Sequence, residues 1–216
     1  DEYDKDSARD FAVWKGPRQG EASWDTKVGP GRPGWHLECS VMSMQELGES
    51  FDLHAGGEDL VFPHHENEIA QSESLTGKPF AHFWFHARFL LVEGEKMSKS
   101  AGNFFTLRDL VLKGHKPSSL RYLLASVPYR NQLNFTFDGL KQAAVSVERL
   151  RNFRLRLSAG NFAAGCNPQM QTLASETIAK MRAALDDDLN TAQAQAAIFE
   201  MVRQANTALD NGALKK

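Results

Sequence analysis

The chain has 216 residues, 42% of them hydrophobic and 24% charged, with a formal net charge of −2. That is ordinary globular composition, enough for one large domain or two small ones. The near-neutral charge gives no global attraction to nucleic acid, no run of about 18 apolar residues supplies a membrane span, and no signal-peptide pattern opens the chain.

Residues 1–34 are rich in Asp, Gly, Pro and Arg, with one apolar cluster at Phe11-Ala12-Val13-Trp14. Gly29-Pro30-Gly31-Arg32-Pro33-Gly34 reads as a loop, either a surface connection or a wall of a ligand pocket. Residues 35–48 predict a helix with Leu37, Val41 and Met44 on one stripe and Gly48 at its stop. Cys39 lies on this helix; alone it would be a small buried hydrophobe, but His64 and Glu68 downstream raise its weight as a metal ligand. Two cysteines in all, Cys39 and Cys166, suit a reducing compartment, read as cytoplasmic, better than a disulfide scaffold. The first residue is Asp, so the chain is read as a piece of a longer protein.

Phe51–His54 alternates as a short strand, and Gly56-Gly57 after it would let backbone approach a ligand closely. Asp59 in this loop is placed to accept from ribose hydroxyls, at the position where open α/β sheets hold nucleotides. Leu60-Val61-Phe62 reads as the end of a buried strand, and Pro63 as the first position of a helix running through Gln71, with Ile69 and Ala70 for its core face. His64 and Glu68, four apart, then project from one face as two ligands of a divalent metal site. The other ligands must come from elsewhere in the chain.

Phe80–Val92 is dense in aromatics, and Phe89-Leu90-Leu91-Val92 predicts a central strand. His82 and His86 read as core or pocket-wall histidines. Lys96-Met97-Ser98-Lys99-Ser100-Ala101-Gly102-Asn103 reads as an anion-gripping loop, with a solvated turn as the alternative. From Lys96 to Arg130 seven Lys and Arg residues face a single acid, Asp109, a local basic stretch suited to phosphates or to a solvated helical surface. A short helix is predicted at Thr106–Leu112, and another, capped by Ser118 or Ser119, ending before Pro128.

Residues 138–210 predict three helices: one capped by Asp138 with Leu140, Ala144, Val147 and Leu150 on a stripe, one carrying Met170, Leu173, Ile178 and Met181, and one carrying Ala192, Phe199 and Val202. Cys166 lies in a loop of this bundle and reads as a free thiol.

Gly34–Ser40, Phe62–Gln71 and Lys96–Ser100 together resemble the cysteinyl-tRNA synthetase family of class I aminoacyl-tRNA synthetases; Lys-Met-Ser-Lys-Ser is the class I signature. The likeness runs from about Asp10 into the bundle, where Leu185–Thr191 is also family-like. It implies an α/β fold: the second half of a Rossmann-like nucleotide-binding domain (1–115), connecting stem-contact helices (116–137) and an all-α helical bundle (138–216). It implies zinc held by Cys39, His64 and Glu68, an amino-acid-stacking role for Trp35, and adenosine held by Gly56 and Asp59. Lys96 and Lys99 become the catalytic lysines, Lys99 the ATP-binding one. The family's fourth zinc cysteine and its His-x-Gly-His motif do not occur in these residues.

The resemblance implies activation of L-cysteine by ATP, accompanied by Mg²⁺, to cysteinyl-adenylate, and transfer to tRNA(Cys), by a monomer; the isolated piece is expected to be inactive. Three other readings stay open: a ligase that joins cysteine to an amino-sugar, an inactive zinc- or RNA-binding remnant, and a purely structural role for the His64–Glu68 pair.

Overall fold

The computed structural model describes residues 9–213, which divide into two compact units, Asp1–Ala87 and Arg88–Lys216. The first opens with three short antiparallel strands, β1 (Trp14–Lys15), β2 (Trp24–Thr26) and β3 (Gly29–Pro33), with β3 in the middle. The predicted loop at 29–34 is thus largely this central strand. Gly31 is small for a reason: a Cβ there would run into the Trp14 indole and the Lys15 carbonyl.

Helix α1 (Trp35–Leu47) follows and stops at Gly48, whose φ of 91° is open to glycine at little cost. Next comes a β–α–β unit: β4 (Phe51–Gly57), α2 (Glu66–Thr76) and β5 (Ala81–Ala87), with β4 and β5 parallel from Phe51↔Ala81 to Gly57↔Ala87. Such a connection needs a crossover, and α2 is it. Phe80, fully buried, packs with Phe51, Ala81, Met44 and Trp84 beneath this pair.

Four expectations for this part of the chain are corrected. Leu60-Val61-Phe62 is not the end of a buried strand: β4 ends at Gly57, and Phe62 is 55% exposed. The segment Glu58–Leu60 is a short 3-10 turn, and Val61–His65 is a kinked helical turn broken at extended Phe62. A residue before proline is pushed out of the helical region, which places the break there and starts regular α2 at Glu66 rather than Pro63. The stripe on α1 is also displaced, because His36 and Ser40 are the buried positions while Val41 stays exposed. On α2 the buried positions are Asn67, Glu68 and Ser72, not Ile69 and Ala70. The two helices meet through polar side chains, which an apolar-periodicity rule cannot register.

The second unit holds a small sheet, β6 (Leu91–Val92), β7 (Glu95–Lys96) and β8 (Asn134–Phe135), with β6 antiparallel to β7 and parallel to β8. The long strand of the aromatic segment is β5, and Phe89 is 43% exposed; the apolar run 89–92 contributes only two sheet residues. Helices α3 (Leu107–Leu112) and α4 (Pro117–Leu124) follow, then α5 (Phe137–Ala159), α6 (Pro168–Asp186) and α7 (Thr191–Asp210).

Thr106 caps α3 in a full capping box with Asp109. The start of α4 is set by Pro117 at its first turn rather than by a serine, and α5 is capped by Thr136, which accepts from Gly139 N–H, rather than by Asp138. Val92, Leu110, Leu123, Phe135, Leu140 and Ala143 form the core. Leu140 is 1% exposed, a burial worth about 1.5–3 kcal/mol. The turn from α6 to α7 passes through Asp188 and Leu189, at φ 52° and 55°. Asp188 is clamped there by Tyr129 Oη at 2.6 Å and by the Arg130 guanidinium.

Candidate metal centre and signature loop

Helix α1 presents Trp35 and Cys39 one turn apart, and His36 and Ser40 likewise, so the four form one broad face. Ser40 is fully buried and accepts from Ser72 Oγ of α2 at 2.9 Å. Gln71 adds a donated bond to the His36 carbonyl at 2.6 Å. These contacts hold α1 against α2 and bring Cys39 over the turn that carries His64 and Glu68. One ligand atom from each of Cys39, His64 and Glu68 lies within 4.8 Å of the other two. The three predicted metal residues, separated in sequence, converge.

Glu68 is fully buried. Its Oε2 accepts from His54 Nε2 at 3.0 Å and stands 3.6 Å from His64 Nε2, while its Oε1 has no hydrogen-bond partner. A buried carboxylate oxygen left unpaired is costly unless a cation meets it. His64 Nδ1 lies 2.7 Å from His36 Nδ1. With the shared proton on His64 Nδ1, its Nε2 lone pair faces Glu68, the second-sphere device that orients a ligating imidazole. Trp35 stacks on His64 with ring centroids 4.6 Å apart and 25° between planes, lies near-parallel to His36 at 6.0 Å, and is 58% exposed.

The electrostatics match a site that wants positive charge. Burial pushes the Glu68 carboxyl up, partly offset by His54 and His64. Burial also raises the Cys39 thiol, and Glu68 adds to it. His64 is lowered by burial, against the pull of Glu68. His65 is lowered to about 4 by burial and by its neighbours His54, His86 and His64. Neutral imidazoles are metal ligands, and a divalent cation would restore the ionised thiolate and carboxylate. Sulfur, nitrogen and oxygen donors together fit zinc.

His36, His54 and His65 were given no role by the sequence reading, and all three belong here. His54, His65 and Glu68 form a second convergent donor group that shares the carboxylate with the first. His65 is also 2.7 Å from His86, placing that residue at the wall of the cluster; His82 is exposed on β5. Adjacency offered the only signal, since each lies next to a glycine loop or a predicted ligand. Gly56 leaves room for this packing, because a Cβ there would come within 2.8 Å of the His65 ring. Asp59 is exposed just beyond the carboxyl end of β4.

In the second unit, Lys96 ends the β6–β7 hairpin and Lys99 follows in the loop, both exposed. Their ammonium groups lie over phenylalanine rings, Lys96 5.8 Å from the Phe89 centroid and Lys99 5.6 Å from Phe104. Met97 between them packs against the core. Lysines held this loosely at the surface are free to meet a phosphate.

The fold is that of class I aminoacyl-tRNA synthetases. It is similar to an Agrobacterium radiobacter K84 agnB2 LeuRS–tRNA–LeuAMS ternary complex, with a TM-score of 0.64 and 15% identity over 88% of this chain and 30% of that one. It is also similar to Mycobacterium tuberculosis methionyl-tRNA synthetase in complex with methionyl-adenylate, with a TM-score of 0.56 and 20% identity over 74% of this chain and 34% of that one. The chain belongs to the class I (C) tRNA synthetase catalytic-domain family, which matches residues 1–145, and residues 180–216 match a DALR domain. It is 69% identical over its full length to the cysteine–tRNA ligase of Koribacter versatilis and 62% identical over 212 residues to that of Solibacter usitatus. It spans 44% and 46% of those relatives, so a little under half their length. Among the described residues no helix is long and apolar enough to cross a membrane.

Proposed function

We propose that the chain is part of a cysteine–tRNA ligase that activates L-cysteine with ATP and Mg²⁺ and transfers it to tRNA(Cys), acting as a monomer in the cytoplasm. The observation that carries this reading is the convergence of Cys39, His64 and Glu68 donors within 4.8 Å around an unpaired buried carboxylate oxygen. These three residues would hold zinc. Zinc held there would supply a soft cation that favours a thiolate over a serine hydroxyl, whereas an apolar pocket alone separates such near-isosteres by only about 100-fold. Trp35, stacked on His64, forms a wall against which the amino-acid side chain rests. Gly56 and Asp59 hold the adenosine, Asp59 by accepting from ribose hydroxyls. Lys96 and Lys99 grip the triphosphate and stabilise charge as the cysteine carboxylate attacks the α-phosphate and pyrophosphate leaves. No protein nucleophile is required. In this reading 1–115 carries the chemistry, 116–137 meets the tRNA stem, and 138–216 is a helical domain.

Cysteine-dependent ATP–pyrophosphate exchange by full-length protein, with serine as competitor and zinc content by mass spectrometry, tests the reading. Cys39→Ser is expected to lower zinc content and to erode discrimination against serine. Unchanged zinc and unchanged discrimination would remove the proposal. A parallel assay with an amino-sugar acceptor in place of tRNA separates the related ligase chemistry.

A further inference from the structure

We propose that Asn103 is a positioning residue for the lysine loop, acting through the backbone on either side of Met97; this deepens the ATP-binding reading and rests on it. In an extended segment the carbonyl of one residue and the N–H two residues on point to the same side, as two strand-partner groups do. Lys96 C=O and Ser98 N–H are such a pair. Asn103 meets both with one planar amide: Nδ2 donates to the Lys96 carbonyl at 3.1 Å, and Oδ1 accepts from Ser98 N–H at 2.8 Å. The side chain thus serves as a one-residue strand partner for the signature loop.

The rest of the loop is built to deliver Asn103 to that place. Ala101 N–H donates to Ser98 Oγ at 3.1 Å, and Gly102 N–H donates to the Lys99 carbonyl at 3.2 Å. Gly102 has φ 68°, the left-handed conformation that turns the chain back and that side-chain-bearing residues rarely adopt. Beneath, Met97 lines a cavity of about 120 Å³ with Leu90, Phe105, Leu110 and Leu120. Met97 anchors the loop from the core side and Asn103 clasps it from the other. The spacing and direction of Lys96 and Lys99 are then set by the clasp, while their side chains stay free.

Glutamine alone carries the same amide, on a stem one methylene longer. Alanine deletes both bonds. Aspartate, of the same size, keeps the acceptor for Ser98 but opposes an oxygen to the Lys96 carbonyl oxygen.

The test compares full-length wild type, Lys99→Ala, Asn103→Ala and Asn103→Asp in cysteine-dependent ATP–pyrophosphate exchange, separating kcat from KM, with hydrogen exchange at the Ser98 and Leu110 amides. Misplaced lysines should lower kcat by about tenfold or more in both Asn103 variants, with KM for cysteine within about twofold of wild type. Ser98 exchange should quicken in Asn103→Ala while Leu110 in the core stays protected. If Asn103→Ala retains kcat within about twofold while Lys99→Ala is inactive, the positioning role is overturned and the ligase reading stands. Near-normal activity in Lys99→Ala instead removes the function of the loop itself, and the clasp with it. Should Asn103→Ala lose Leu110 protection, Asn103→Asp decides by the same criteria.

Discussion

The α1–α2 seam of the first unit and the core of the second bury opposite chemistries. Between α1, α2 and the turn that precedes α2 the buried polar side chains are His36, Ser40, His64, His65, Asn67, Glu68 and Ser72, with the Glu68 carboxyl pushed up by burial. In the second unit the core is Val92, Leu110, Leu123, Phe135, Leu140 and Ala143. The second gains from packing and from removal of apolar area from water. The α1–α2 seam gains little of either and is held by directed hydrogen bonds such as Ser72 to Ser40 and Gln71 to His36, while the apolar packing of the first unit lies around Phe51 and Phe80. The seam leaves a carboxylate oxygen unmet. A polar seam kept beside apolar cores is the arrangement expected of a functional site.

Substitutions that separate the two interiors put that contrast at risk. The largest effect is expected from Leu140→Ala, about 2–5 kcal/mol off the stability of the second unit, because the site is close-packed and can relax only in part. Urea denaturation measures it, and metal binding should be unaffected. Glu68→Gln is the reverse case. Zinc affinity should fall at least about 100-fold, read by chelator competition. The metal-free protein should melt no lower than wild type, since the amide oxygen can keep the His54 bond while a buried carboxyl with one unmet oxygen is removed. A metal-free Glu68→Gln protein that melts well below wild type would mean the carboxylate serves the fold, and the contrast would collapse.

Smaller effects sharpen the picture of the second unit. Thr106→Ala removes one half of the capping box at α3 and should cost about 1 kcal/mol, by the same denaturation measurement. The smallest concerns Asp188, whose carboxyl is held below its ordinary range by hydrogen bonds from Arg130 and Tyr129. A carboxyl lowered in the folded state stabilises above its unfolded pKa and loses that contribution as pH falls through the folded value. The melting difference between wild type and Asp188→Asn should therefore be present near neutrality and shrink in acid. A difference that grows with acidification would contradict the clamp.

Cys39, His64 and Glu68 could be singled out as candidate donors from residue type, from the i, i+4 spacing of His64 and Glu68 and, for Cys39, from the family likeness. The lysine loop and the Thr106 start were legible on the same grounds. The supporting histidines were not: His54 reaches Glu68 from a neighbouring strand, and His86 reaches His65 from another. The polar seam of α1 and α2 defeated apolar periodicity, and Phe62 broke a helix that Pro63 had been read as starting.

By itself the sequence determined where the main helices lie, the family likeness and the list of chemically capable side chains, because those follow from local spacing and residue chemistry. Only the tertiary structure decided which faces are buried, which histidines join the cluster and how Asn103 closes the loop. Those depend on contacts between residues far apart in the chain, where burial and pairing set the free energy and no local pattern records the partner.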